Sequence, residues 1–285
     1  MIQSMTGYGK TEFTINDKKI TIEIKSLNSK NLDLNVRIGN PFKEKDLLVR
    51  KKLATSLKRG KVDFSINVDN TGKESVNILN KLVVADYMEQ LKKISPISDG
   101  KALELAINLP NIFNSEKEAL DENEWKEIDL KIDEALNRIN AFRKDEGDIL
   151  KADFEKRIQI LQNLCEKNIV FEEERIPAIK KRISKAITEL KVQKDTDRFE
   201  QELIYYLEKL DITEERIRLD NHLDYFLKAL HTEDSNGKKL GFICQEIGRE
   251  INTTGSKANY APMQQNVVLM KDELEKIKEQ LLNVL

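Results

Sequence analysis

The chain has 285 residues, 39% hydrophobic, 34% charged and 6% aromatic, with a formal net charge of −2. This balance suits a soluble protein with much exposed helix, and it excludes a molecule that binds nucleic acid through an overall basic surface. It leaves open a local cleft of opposite charge, which acts through its own field.

With so few aromatics, the core is expected to be mostly Ile, Leu and Val, and the 5 prolines favour long helices. No run approaches the roughly 18 apolar residues of a membrane span, and the first residues lack the basic flank and apolar run of a secretion signal. The two cysteines, Cys165 and Cys244, have neither metal spacing nor a disulfide framework. The expectation is a reduced cytoplasmic protein with two buried thiols.

In chain order, Thr11 to Ile15 and then Ile20, Ile22 and Ile24 alternate with polar residues across Asn16-Asp17, which reads as a hairpin. Leu32, Leu34, Val36 and Ile38 alternate likewise. A helical stretch from about Pro41 to Lys58 precedes a fourth alternating run, Val62 to Val68. Leu82, Ala85, Met88 and Leu91 fit a helix ending near Ser95-Pro96, and a short helix covers Leu103 to Leu109.

A long helical run begins near Glu124, with Ile128, Ile132, Ala135, Ile139 and Phe142 in one seam. Leu150, Phe154, Ile158, Leu161 and Cys165 form the next. Between the seams, Arg143 to Asp148 reads either as a turn or kink between two helices or as a polar gap at a cleft. Ile176, Ile179, Ile183, Ile187 and Leu190 mark a separate amphipathic helix with Pro177 near its start. Phe199, Leu203, Tyr206 and Leu210 mark another. Met263, Val267, Met270, Leu274, Ile277, Leu281 and Val284 form a 4-3 stripe that packs on this chain or on a symmetric copy.

The predicted class is α+β: a small N-terminal antiparallel sheet with a helix, then a long helix and a helical C-terminal domain. The expected divisions are 1–155 (sheet then helices), 156–200 (helical connector) and 201–285 (helical domain).

Two helices concentrate chemistry-bearing side chains. In the first, Thr213 is placed to cap the helix, and Glu215, Arg218 and His222 share a face. Such a set binds a metal, orients a phosphate or transfers protons; the competing reading is an intrahelical salt bridge beside a partly buried histidine. In the second, Leu240, Ile243 or Cys244, Ile247 and Ile251 face inward. Glu246, Glu250, Thr253 and Lys257 share one polar stripe, and Gln245, Arg249, Asn252 and Ser256 another. Like charges at Glu246 and Glu250 need a positive group between them, either Arg249 or a divalent cation. Acids beside Arg, Asn and Lys suit phosphodiester chemistry. Basic residues of the sheet region (Lys25, Lys30, Arg37, Arg59 and Lys61) either block edge pairing or track an RNA backbone.

Six ordered blocks resemble the YicC/YloC family: MIQSMTGYGK, EIKSLNSKNLDLNVRI (23–38), LKRGKVDFSINV (57–68), DITEERIRLDNHL (211–223), GKKLGFICQEIGREINTTGSKAN (237–259) and KDELEKIKEQ (271–280). The resemblance implies a cytoplasmic endoribonuclease, assisted by a divalent cation (Mn2+ or Mg2+) and assembled as a ring-like homo-oligomer, a hexamer. RNA is the expected partner, with neither DNA nor membrane. Glu215, Arg218, His222, Gln245, Glu246, Arg249 and Glu250 fall on the family's motif positions. Glu246 and Glu250, with Glu215 or His222, are expected to hold the metal. Arg218, Arg249 and Lys257 would hold the phosphate, while Lys25, Asn28, Lys30, Arg59, Lys61 and Lys257 would contact RNA.

The chain departs from the family pattern at Gly241 (usually an acid), Gly248 (usually Asn), Thr254 (usually aliphatic) and Gly255 (usually Ala). The glycines at 241 and 248 are expected to weaken the helix and remove two polar groups. Two alternatives accompany the enzyme reading: a non-catalytic adaptor delivering RNA to another nuclease, and a structural assembly protein built on the C-terminal stripe.

Overall fold

The computed structural model describes residues 2–16, 18–70, 79–110, 112–113, 121–189, 196–232 and 236–285. Alternation of apolar and polar residues yields strands β1 (Gly7–Ile15), β2 (Lys18–Leu27), β3 (Leu32–Ile38) and β4 (Gly60–Asn70). Asp17 of the expected hairpin turn lies outside the described residues, but so short a connection only joins antiparallel strands.

The sheet order is β1-β2-β4-β3, and β3 runs parallel to β4, with Leu34 opposite Val62 and Val36 opposite Phe64. The sheet is therefore mixed rather than wholly antiparallel. The reason is α1 (Asp46–Leu57), preceded by a 3-10 turn at Phe42–Lys45, which forms the crossover that a parallel pair requires. Helices α2 (Lys81–Ile94) and α3 (Asp99–Ala106) follow, each opened by a side-chain cap, Asn80 and Ser98.

Helix α4 (Glu122–Glu189) is continuous over 68 residues, so the turn read at Arg143 to Asp148 and the separate helix around Ile176 are both corrected. The first seam does not run on through Phe142, which is exposed. Its place on the buried face goes to Arg143, only 1% exposed. Arg143 donates to the Met5 carbonyl (3.2 Å) and to Ser26 Oγ (2.5 Å). Gly147, one turn on, lies so close to the N-terminal segment that a Cβ there would meet the Ile2 carbonyl oxygen at 2.2 Å. The polar stretch is a docking point for residues 2–6, not a break. Pro177 is accommodated inside α4; Leu190 lies outside the described residues, as does the side chain of Ile187.

Helices α5 (Thr196–Lys209), α6 (Thr213–Leu230), α7 (Gly237–Lys257) and α8 (Ala261–Leu281) complete the described elements. The chain divides into two compact units. One joins Tyr8–Lys25 to Leu32–Ile139; the other joins Met1–Gly7 and Ser26–Asn31 to Asn140–Leu285. The expected divisions after 155 and 200 both fall inside helices, α4 and α5.

In the sheet unit, Ile20, Ile22, Ile24, Val62 and Phe64 pack on Leu53 of α1 and on Ile128, Ile132 and Ile139 of α4. In the helical unit, Phe154, Ile158 and Leu161 pack against Leu223, Phe226, Ile247 and Met270. The C-terminal stripe (Val267, Met270, Leu274, Ile277, Leu281, Val284) is spent in this same core, with Met263 in a smaller cluster beside Ile212 and Ala258. The stripe thus packs on its own chain, which removes the sequence basis for the structural-assembly reading.

Candidate functional site

Helix α6 begins where Asp211 accepts hydrogen bonds from the backbone N–H (3.0 Å) and hydroxyl (2.7 Å) of Thr213. Thr213 is the first helical residue rather than the cap, because the carboxylate before it satisfies the orphan N–H. The Thr213 bonds, and then the charges of Lys257 and Arg175, hold the Asp211 carboxyl below its ordinary value.

The expected α6 set is not brought together. Glu215 is buried, and its Oε1 accepts from Lys257 Nζ of α7 at 2.8 Å, while Oε2 is buried without a partner. Lys257 also donates to the Asp211 carbonyl at 2.9 Å, so both its position and its charge are committed to the start of α6. Arg218 is exposed and pairs with Glu214 at 2.5 Å. His222 is half-buried one turn further on. The intrahelical salt bridge weighed from sequence exists, but with Glu214 in place of Glu215.

Helix α7 keeps its apolar residues at helical spacing: Leu240, Ile243, Cys244, Ile247 and Ile251 are buried, joined by Glu250 and Thr254. Burial raises both thiols, Cys165 and Cys244, to about 12, which suits unreactive core residues. Glu246 and Glu250, expected on one stripe, occupy different environments. Glu250 lies on the buried side, whereas Glu246 is exposed with Gln245 and Arg249. Arg249 does not bridge the two acids, and neither Glu246 nor Arg249 has a side-chain hydrogen bond or ion pair within the described residues.

Among the described residues no group of three or more His, Cys, Asp or Glu side chains is arranged to hold a metal ion. Glu246, Glu250 and His222 of one chain are not gathered into such a group.

The departures from the family pattern separate into two kinds. A Cβ at Gly255 would lie 2.9 Å from Val267 Cγ1, and one at Gly248 would lie 3.2 Å from Leu274 Cδ2, so these glycines let α8 approach α7. Gly241 faces open space. The helix is unbroken through all three.

Of the basic candidates, Lys25 pairs with Glu23 at 3.1 Å and sits 5.7 Å from the Tyr8 ring centroid. The Tyr8 hydroxyl donates to Glu23 at 2.7 Å and is the chief reason that carboxyl is lowered. Lys25, Arg59 and Lys61 belong to the sheet unit; Asn28, Lys30 and Lys257 belong to the helical unit. Lys61, Asn28 and Lys30 are exposed and Arg59 half-buried. Sequence reasoning did not single out Arg175, a buried side chain that donates to the Leu210 carbonyl at 2.8 Å. Its signal was an arginine pair seven apart, Arg175 and Arg182, hidden inside an isoleucine-rich helical pattern.

No described helix is long and apolar enough to cross a membrane. Residues 2–152 match the family described as "Endoribonuclease YicC-like, N-terminal region", and residues 169–285 match "Endoribonuclease YicC-like, C-terminal". A "Probable endoribonuclease YicC" of Clostridioides difficile is 31% identical over 292 residues, covering all of both chains. One of Haemophilus influenzae with the same description is 25% identical over 291 residues, again covering all of both. With both halves matched and a relative of this identity aligned end to end, the chain belongs to the endoribonuclease YicC-like family.

Proposed function

We propose that this chain is an endoribonuclease that cuts RNA at the exposed face of α7, working as a homo-oligomer in the cytoplasm. The observation that carries the residue roles is the availability of charge there. Much of the surface charge elsewhere is paired, as in Lys52 with Asp129 and Asp133, or Arg157 with Asp153 and Glu273. Glu246 and Arg249, one turn apart, are exposed and have no such partner among the described residues. In this reading Arg249 and Gln245 donate hydrogen bonds to the phosphodiester oxygens. Glu246 accepts the proton of the attacking water as the P–O bond to the leaving ribose oxygen breaks and that oxygen takes a proton from solvent. Arg218, on α6, adds positive charge to hold the strand. Lys25, Lys30, Arg59 and Lys61, with Asn28, guide it.

Glu215 and Lys257 take a positioning role. Their ion pair fixes the start of α6 against the end of α7, and so sets the spacing of the two helices. Glu250 is buried and His222 half-buried, and neither takes part in this step. Assistance by Mn2+ or Mg2+ belongs to this proposal only with ligands completed by a second copy, and no step above depends on it.

The test is incubation of purified protein with a labelled RNA hairpin, with and without a chelator and with Mn2+ restored. Cleavage by wild type that is lost in Glu246→Gln supports the reading. RNA retention without cleavage under every condition would replace it with the adaptor reading.

A further inference from the structure

A cleft of about 450 Å3 opens beside the start of α8, lined by Arg175, Ile179, Arg182, Asn259, Tyr260 and Gln264 among others. Arg175, Ile179 and Arg182 stand four and seven positions apart, on one face of α4. The Arg175 side chain is 4% exposed. Its terminal N–H groups donate to the carbonyls of Leu210 (2.8 Å) and Lys257 (3.4 Å), and its Nε is buried without any partner. The paired carboxylate, Glu172, stays 3.7 Å away, beyond hydrogen-bond distance. Glu174 is occupied by the Tyr260 hydroxyl at 2.9 Å. Arg182 is exposed, with no ion pair or hydrogen bond among the described residues. Two arginines thus line the cleft, and the carboxylates that share Arg175's charge, Glu172 and Asp211, take no hydrogen bond from it.

The backbone adds to this charge. No side chain caps α8, which begins at Ala261-Pro262, and first-turn N–H groups have no partner in their own helix. The positive end of the helix dipole favours an anion there. The connecting residues are already held in place: Gln264 Nε2 donates to the carbonyls of Gly255 (2.5 Å) and Ala258 (2.6 Å). A floor fixed in advance lowers the ordering cost of binding.

We propose that this cleft is a phosphate-binding subsite that seats one phosphodiester group of an RNA strand. The proposal rests on the RNA reading above and adds a contact point away from the exposed α7 face. Arg182 forms the entrance contact, Arg175 supplies buried positive charge, and the start of α8 donates from its backbone. The volume lies in the range of small-ligand clefts, with room for the phosphate and its sugar.

The test uses Arg182→Gln in the full chain, because Arg182 is exposed and its loss does not threaten folding. Lys93→Gln on α2 removes the same charge from the sheet unit, outside the residues that line the cleft. Binding of a fluorescent single-stranded oligoribonucleotide is followed by anisotropy across salt concentrations. Arg182→Gln is expected to weaken binding about 5- to 10-fold at low salt and to reduce the salt slope by about 0.7, with Lys93→Gln unchanged. RNA binding with the wild-type affinity and slope in Arg182→Gln would overturn the subsite while leaving the RNA reading intact. In a second arm, inorganic phosphate at constant ionic strength should raise the melting temperature of wild type more than that of Arg182→Gln. That difference together with unchanged RNA binding would mean free phosphate occupies the cleft, overturning the strand assignment. If wild type binds no RNA at all, the RNA reading falls and the strand assignment falls with it. The phosphate arm then separately reports whether the cleft takes an anion.

Discussion

At its C-terminal end α7 spends its charge on the fold: Lys257 is bound to buried Glu215 and to the Asp211 carbonyl. About two to three turns earlier, Arg249 and Glu246 stand exposed with no side-chain partner among the described residues. Each place holds an acid and a base: Glu246 and Arg249 about one turn apart on α7, Glu215 and Lys257 joined across two helices. What differs is the second helix. At Lys257 the start of α6 closes over the pair, whereas beside Glu246 nothing described covers the face. One helix can therefore carry a structural ion pair and a reactive pair, and only packing tells them apart.

The comparison breaks first if the Lys257 pair proves dispensable. Lys257→Met strands Glu215 with both carboxylate oxygens unpaired, and stability should fall by about 3 kcal/mol in urea unfolding. A loss below about 0.5 kcal/mol would mean the pair is no more than a surface contact.

The buried side of α7 is sharpened by its glycines. Gly255→Ala forces a Cβ against Val267 and should cost about 1 kcal/mol net, overpacking outweighing helix propensity. Gly241→Ala enters open space and should gain about 0.5–1 kcal/mol. Equal shifts in melting temperature would show that α8 does not press on α7 as the structure has it.

The smallest effect is in acid. Because Asp211 is held below its ordinary value of 3.8, its contribution is complete above that value and is lost as pH falls through the lower folded value. Asp211→Asn should therefore flatten the stability curve below about pH 4, with little change near neutrality. An unchanged acid limb would assign that sensitivity to other carboxylates.

Much of this architecture was legible in the sequence, because strands and amphipathic helices write their periods directly. Ile20, Ile22 and Ile24 gave β2, and Leu240, Ile247 and Ile251 gave the inner face of α7. The parallel β3–β4 pair was not legible, since alternation fixes a strand but not its partner's direction. Nor was the continuity of α4. Arg143 and Gly147 look like a break until the N-terminal segment is seen docked on them. The candidate helices were found from their residue types, but Glu215 and Lys257 looked reactive for the same reason that Glu246 and Arg249 did. Their pairing joins residues 42 positions apart, beyond any local spacing rule.

The central claim is that the uncovered α7 face, and not the covered pair, carries the chemistry. Its most direct test is the single-turnover rate of RNA cleavage by Glu246→Gln, measured alongside its melting temperature. The account predicts a rate loss of about 100-fold or more, with stability within about 0.5 kcal/mol of wild type. Undiminished cleavage in that folded variant would contradict it.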